Sequence, residues 1–120
     1  MFLTLKHQNL EVYKASRFFL NTCYRISGFL PNDEKFAMTS QIRRAALSVH
    51  LNIAEGASRK SENERKRFYE IARGSLIEVD TALEVAVDLE YLKNVDLTDL
   101  ETSIINCFKL LSGLINYRKS

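Results

Sequence analysis

Tryptophan is absent from the 120 residues, proline occurs once and glycine four times. So few chain breakers leave little punctuation for the closely spaced turns of a β-sandwich or barrel. There is no glycine-rich loop to cradle a phosphate and no dinucleotide fingerprint. Cys23 and Cys107 are too few for a disulfide framework or a cysteine metal cluster, and each is flanked by apolar helical positions, so they read as two reduced, buried thiols. His7 and His50 lack a nucleophile or carboxylate at catalytic or metal-site spacing, and no Glu-x-x-His pair suits a di-iron bundle. Ser48 and Ser75 have no evident base. An enzyme, a cofactor and a metal are therefore not expected, nor is a small-molecule substrate. No apolar run approaches the ~20 residues of a membrane span, and Met1 to His7 is too short for a signal peptide, so a cytoplasmic protein without membrane contact is expected.

What remains is helical periodicity. The spacing predicts one domain over residues 1–120 with helices at about 9–27, 39–56, 62–91 and 98–117. Short connections favour antiparallel neighbours, so the expected fold is all-α, an up-down-up-down four-helix bundle. Helix one carries Val12, Phe19, Cys23 and Ile26 on one stripe, with Gly28 placed for a left-handed cap. Thr39 is the candidate N-cap of helix two, and Gly56 its end. Ser61-Glu-Asn-Glu64 and Thr98-Asp-Leu-Glu101 both have the capping-box pattern. Helix three is assigned a core stripe of Phe68, Ala72, Ser75, Val79, Ala82 and Ala86, with Ile71, Leu83 and Val87 beside it. Gly74 near its middle suggests close approach of a neighbouring helix. Helix four presents Leu100, Ile104, Cys107, Leu111 and Leu114.

The segment from Thr39 to Gly56 separates into three faces at ~100° per residue. Ile42, Ala46, Val49 and Ile53, with Ala45, form a core stripe. Gln41, Arg44, Ser48, Asn52 and Glu55 form a polar band, read as a hydrogen-bonded network that sets register inside or between subunits; a ligand pocket is the alternative. Arg43, Leu47, His50 and Leu51 mix charge with aliphatic groups and are assigned to an oligomer interface. An ordinary surface helix needs only two faces.

Charge is divided along the chain. Residues 1–73 hold thirteen Lys/Arg against seven Asp/Glu (+6), and residues 74–120 hold four against eight (−4). Arg59, Lys60, Arg65, Lys66, Arg67 and Arg73 cluster around the start of helix three, which suits phosphate-backbone binding, with Tyr69 as a stacking or hydrogen-bonding group. The competing reading is a solvated helix end in which Glu62, Glu64 and Glu70 pair locally. Further along, Asp80, Glu84 and Asp88 repeat at i, i+4 and i+8 toward the negative end of the helix dipole, a repulsion that a basic partner surface would relieve.

Leu10-Glu-Val-Tyr13, Ser40-Gln-Ile-Arg-Arg-Ala-Ala46 with Ser48, Asn52-Ile-Ala-Glu-Gly56, Phe68 and Ala72-Arg-Gly-Ser-Leu-Ile-Glu78 span most of the chain. In these segments it resembles the small bacterial four-helix-bundle proteins first met in intervening sequences of 23S ribosomal RNA genes (S23-like). Those are similar to the accessory variability proteins of diversity-generating retroelements. The resemblance implies a four-helix protomer in a ring-like homo-oligomer, a homopentamer, with a basic outer surface. In the retroelement relatives that surface binds nucleic acid and a reverse transcriptase. Two positions depart from the pattern: His50 stands where the family often has proline, and Glu90 where glycine is common before Tyr91-Leu92. The expected function is an oligomeric accessory or scaffold protein that binds DNA or RNA backbone. The alternative is an interaction module that docks a reverse transcriptase or another protein without touching nucleic acid.

Overall fold

A computed structural model describes residues 2–117. These form four α-helices and no strand: α1 Glu11–Ser27, α2 Met38–Ala57, α3 Glu62–Asp88 and α4 Thr98–Asn116. Short 3-10 turns at Lys6–Asn9 and Asn32–Glu34 precede α1 and α2. Each helix packs on two others, α1 on α2 and α4, α3 on α2 and α4, with α1–α3 and α2–α4 across the diagonals. The α1/α2 and α3/α4 seams therefore lie on opposite sides of the molecule. α3, about 40 Å long at ~1.5 Å per residue, runs most of the 47 Å long dimension.

All four helices bury one face in a shared core. Val12, Phe19, Cys23 and Ile26 of α1 and Ile42, Ala45, Ala46, Val49 and Ile53 of α2 are buried, as the periodicity predicts. α3 departs from its predicted stripe. Its buried positions are Tyr69, Ala72, Leu76, Val79, Leu83 and Ala86, an alternating three- and four-residue spacing centred one residue beyond the predicted one, whereas Ile71 and Val87 are exposed and Phe68 and Ser75 half-buried. The alanines that occur in both stripes made the two phases hard to separate. On α4, Leu100, Cys107 and Leu111 are buried and Ile104 and Leu114 pack at the margin.

The core also takes small hydroxyls that periodicity of apolar residues cannot reveal. Ser16 donates to the Tyr13 carbonyl at 3.0 Å, Thr22 to Phe18 at 2.8 Å, Ser27 to Tyr24 at 3.1 Å and Ser103 to Leu100 at 2.9 Å. Each hydroxyl reaches a carbonyl of its own preceding turn, and Ser16 and Ser27 also meet His50 and Arg43 of α2. Both thiols are free and buried, and burial pushes each up to about 12, so they remain uncharged.

Helix ends correct several expectations. Gly28 is right-handed, φ −66°, and among the described residues the left-handed one is Glu90 at φ 64°. The Tyr91 amide donates to the Ala86 carbonyl at 3.0 Å and the Glu90 amide to Val87 at 2.9 Å, the paired bonds of a Schellman cap on α3. Thr39 lies buried inside the first turn of α2, whose N-cap is Ala37. Gly56, expected to end α2, is its penultimate residue. A Cβ on it would meet Phe68 Cβ at 2.9 Å and Tyr69 Cε1 at 3.1 Å, so this glycine, not Gly74, allows a close helix approach; Gly74 faces open space. Ser61 caps α3 by accepting from the Glu64 amide at 3.1 Å. Thr98 is not a cap: Asp96 Oδ1 accepts from its amide and hydroxyl at 3.0 and 2.7 Å.

Candidate interaction surfaces

The six cations assigned to nucleic acid do not form one bare patch. Arg59 ion-pairs with Glu55 at 2.5 Å and lies 5.0 Å from the Phe68 ring centre. Arg65 donates to the carbonyls of Arg59 and Lys60 at 3.1 and 2.7 Å, tying the α2–α3 connection to the first turn of α3. Lys66 pairs with Glu62 at 3.0 Å, and Arg73 donates to Ser112 of α4 at 3.2 Å. Lys60 and Arg67 are exposed and have no side-chain hydrogen bond or ion pair among the described residues. Tyr69, offered as a stacking group, is instead a core residue, 5% exposed. Burial raises its phenol above the ordinary range, against the opposing effect of Arg65. The rotated phase of α3 is what turns it inward.

The polar band of α2 divides. At its centre Ser48 Oγ and Ser75 Oγ of α3 are 2.9 Å apart, and Asn52 Nδ2 donates to the Ser48 carbonyl and hydroxyl at 2.8 and 3.1 Å. This is a small α2–α3 clasp. Gln41, Arg44 and Glu55 are exposed at the ends of the band, and Glu55 pairs with Arg59 instead of Arg44.

The third face of α2 borders the α1/α2 seam. Arg43 donates to Ser27 Oγ at 2.8 Å and to the Tyr24 carbonyl at 3.3 Å, with its guanidinium 5.1 Å from the Tyr24 ring centre. His50 Nδ1 is 2.7 Å from the buried Ser16 hydroxyl, and its ring lies 4.7 Å from that of Tyr13, which meets His7 edge-on at 5.4 Å. Burial lowers the His50 pKa first, with the positive fields of Arg17 and His7 adding to it. Leu47 and Leu51 are 38% and 56% exposed. A shallow hollow beside Leu47 is lined by Tyr24, Phe36, Thr39, Ser40 and Leu47 together with Lys35, Arg43 and Arg44. Phe36, 88% exposed in the α1–α2 connection, stands out from it. Sequence reasoning missed Phe36; an unpaired aromatic next to Lys35 after a proline turn was the available signal.

On the opposite side α3 and α4 leave a groove lined by Leu76, Ile77, Ile104, Ile105 and Phe108 together with Asp80 and Lys109, and Arg73 lies 6.0 Å from the Phe108 ring centre. It continues over Leu83, Val87 and Leu100, rimmed by Asp80, Glu84 and Glu101. Ile77, Ile105 and Phe108 are 41–51% exposed. Asp80, Glu84 and Asp88 form no ion pair among the described residues, and Lys109 lines the groove beside Asp80. These apolar positions lie off the core stripe, and their spacing was the signal left unused.

Among the described residues no cluster of three or more His, Cys, Asp or Glu side chains could hold a metal ion, and no helix is long and apolar enough to cross a membrane. No functionally curated protein matches the sequence. A crystal structure from Bacteroides thetaiotaomicron, described as a protein with unknown function from the S23 ribosomal protein family, is similar to this chain at 26% identity. The likeness covers 88% of this chain and 99% of that one, with a TM-score of 0.79. Residues 8–113, nearly the whole bundle, match the 23S rRNA-intervening sequence protein family model, and the chain belongs to that family.

Proposed function

We propose that the protein is a non-enzymatic, self-associating bundle that serves as a cytoplasmic accessory or scaffold protein. One observation carries this reading: large aliphatic and aromatic side chains stand exposed in two groups, Leu47 and Leu51 on one side and Ile77, Ile105 and Phe108 on the other. Contiguous apolar patches of this kind mark interaction sites, because water-exposed apolar area is stabilised by burial at ~25 cal/mol per Å². An up-down-up-down protomer is supported by the shared end of two connections, where the Tyr91 hydroxyl after α3 donates to Glu34 before α2 at 2.9 Å. A ring of five is the stoichiometry that the family resemblance suggests. Sedimentation equilibrium at micromolar concentration should give a mass several times the 13.8 kDa protomer; a monomer would overturn the reading.

Exposed, unpaired Lys60 and Arg67, with Arg44, support a second activity, contact with DNA or RNA backbone. Binding should weaken steeply with salt, and loss of either Lys60 or Arg67 should lower the log–log slope by ~1. Affinity independent of salt would exclude it. The alternative occupant of these surfaces, a reverse transcriptase or another protein, would be recovered with the bundle after nuclease treatment and lost on Leu51→Asp.

A further inference from the structure

Five hydroxyl side chains are buried among the described residues, and four of them, on Ser16, Thr22, Ser27 and Ser103, reach a carbonyl of the preceding turn. The fifth does not. Thr39 of α2 is 8% exposed, and its hydroxyl makes no hydrogen bond among the described residues. No fully enclosed side-chain oxygen or nitrogen there lacks a partner, so the Thr39 hydroxyl keeps an opening, onto the hollow beside Leu47 that Thr39 lines. That hollow has a volume of about 340 Å³ and follows the first turns of α2. Its lining holds three cations, Lys35, Arg43 and Arg44, a second hydroxyl, Ser40, and no carboxylate. The acids nearest in the chain are Asp33, which is exposed, and Glu34, whose carboxylate accepts from the Met38 amide at 3.4 Å and the Tyr91 hydroxyl at 2.9 Å. The start of α2 adds to the positive field. It has no acidic residue in its first turn and no side-chain cap, and the Thr39 and Ser40 amides donate to no acceptor among the described residues. Unpaired N–H groups at a helix start carry partial positive charge, which an oxyanion satisfies.

We propose that this hollow binds a nucleoside phosphate, with the phosphate against Thr39, Ser40 and Arg44 at the start of α2 and the base on the Phe36 ring. Phe36 is the reason to expect a base and not a bare anion. It is 88% exposed, with Lys35 5.4 Å from its ring centre, and Tyr24 lines the same hollow with the Arg43 guanidinium 5.1 Å from its own ring centre. Aromatic rings and guanidinium planes are the platforms on which bases stack, and phosphate contacts fix the other end of the ligand. Arg43 is held in place by Ser27 and the Tyr24 carbonyl, whereas Lys35 and Arg44 have no hydrogen bond or ion pair among the described residues and are free to turn toward a phosphate. Two sources carry this chemistry, a free mononucleotide and a residue of single-stranded DNA or RNA. The site is separate from self-association and shares only Arg44 with the backbone contact proposed above, so each reading fails alone.

Calorimetric titration of the full chain at low salt with AMP, inorganic phosphate and adenosine tests the site. AMP should saturate it, with phosphate about tenfold weaker and adenosine weaker still. Phe36→Ala, at an exposed position, should lower AMP affinity about tenfold and leave phosphate affinity unchanged, a split that loss of structure would not produce. Lys35→Glu with Arg44→Glu should remove binding of both, and Thr39→Val should weaken both with helical circular dichroism unaltered. Lys109→Glu, on the α3/α4 side, should change neither. No saturation by millimolar AMP, equal affinity for AMP and adenosine, or full AMP affinity in the Lys35→Glu, Arg44→Glu variant would overturn the proposal. A DNA duplex that binds in a salt-dependent way while AMP does not would leave the backbone contact standing and remove this site. Single-stranded oligoadenylate then identifies the source: tighter binding per site than AMP assigns the hollow to a strand, and equal or weaker binding assigns it to a mononucleotide.

Discussion

Glu90 holds a backbone angle, φ 64°, that places the Cβ of an L residue close to its own carbonyl oxygen, and no glycine of the described chain has a positive φ. The Schellman bonds of α3 require that angle whatever residue stands there. Glu90→Gly should therefore raise the unfolding free energy by ~1 kcal/mol, read as a higher urea midpoint at unchanged slope. Two other glycines make a paired prediction. Gly74→Ala adds a methyl to open space inside a helix and should stabilise by ~0.5–1 kcal/mol. Gly56→Ala pushes a methyl to 2.9 Å from Phe68 Cβ and should destabilise by ~1–3 kcal/mol. The reverse order in a urea series would mean that α2 and α3 meet elsewhere. Glycine content alone could not assign these roles, since the identity of the facing atom depends on which helix crosses where.

Among the elements, the contact between α1, α2 and the 3-10 turn at Lys6–Asn9 has a built-in pH response. His50 of α2 faces Ser16, Tyr13 and Arg17 of α1 and His7 of the turn. Its folded-state pKa lies below the ordinary ~6.5, so the unfolded chain binds the proton more readily. The associated stability is complete above about 6.5 and is lost as pH falls through the lower folded value. Chemical denaturation at about pH 7.5 and about pH 5 should show wild type losing more stability than His50→Gln; parallel losses would show that other groups set the pH response. The phase of α3 belongs to the same scale. Ala72, Val79 and Ala86 fit either of two adjacent stripes, and packing chose the one that buries Tyr69, Leu76 and Leu83. That choice moved Tyr69 from a proposed nucleic-acid contact into the core.

For the whole molecule, the split between a basic first part and an acidic remainder becomes a partial separation in space, with Lys35, Arg43 and Arg44 at one seam and Asp80, Glu84 and Glu101, beside Lys109, at the opposite one. Self-association driven partly by these rims should weaken as ionic strength rises, because exposed charges are screened beyond ~10 Å at about 0.1 M salt. A salt series in the ultracentrifuge checks this; assembly strengthened throughout by salt would mean that apolar burial alone drives it. Arg65 provides the contrast. Bonded to two loop carbonyls, it should lower stability when changed to alanine, by ~1–3 kcal/mol, with nucleic-acid affinity following only through unfolding.

Sequence by itself determined the helical class, the core stripes of α1 and α2, the Ser61 cap and the buried thiols, because each depends on local periodicity or on contacts within one turn. It also carried the family resemblance, through motifs that run along most of the chain. Only the tertiary structure decided the phase of α3, the glycine that admits a close neighbour and the cations already engaged by Glu55, Glu62, Ser112 and loop carbonyls. Those depend on which side chains from distant segments arrive at the same place. The two opposed apolar surfaces are of that second kind: their residues were all visible in the chain, and their gathering into a hollow and a groove waited on the packing of four helices.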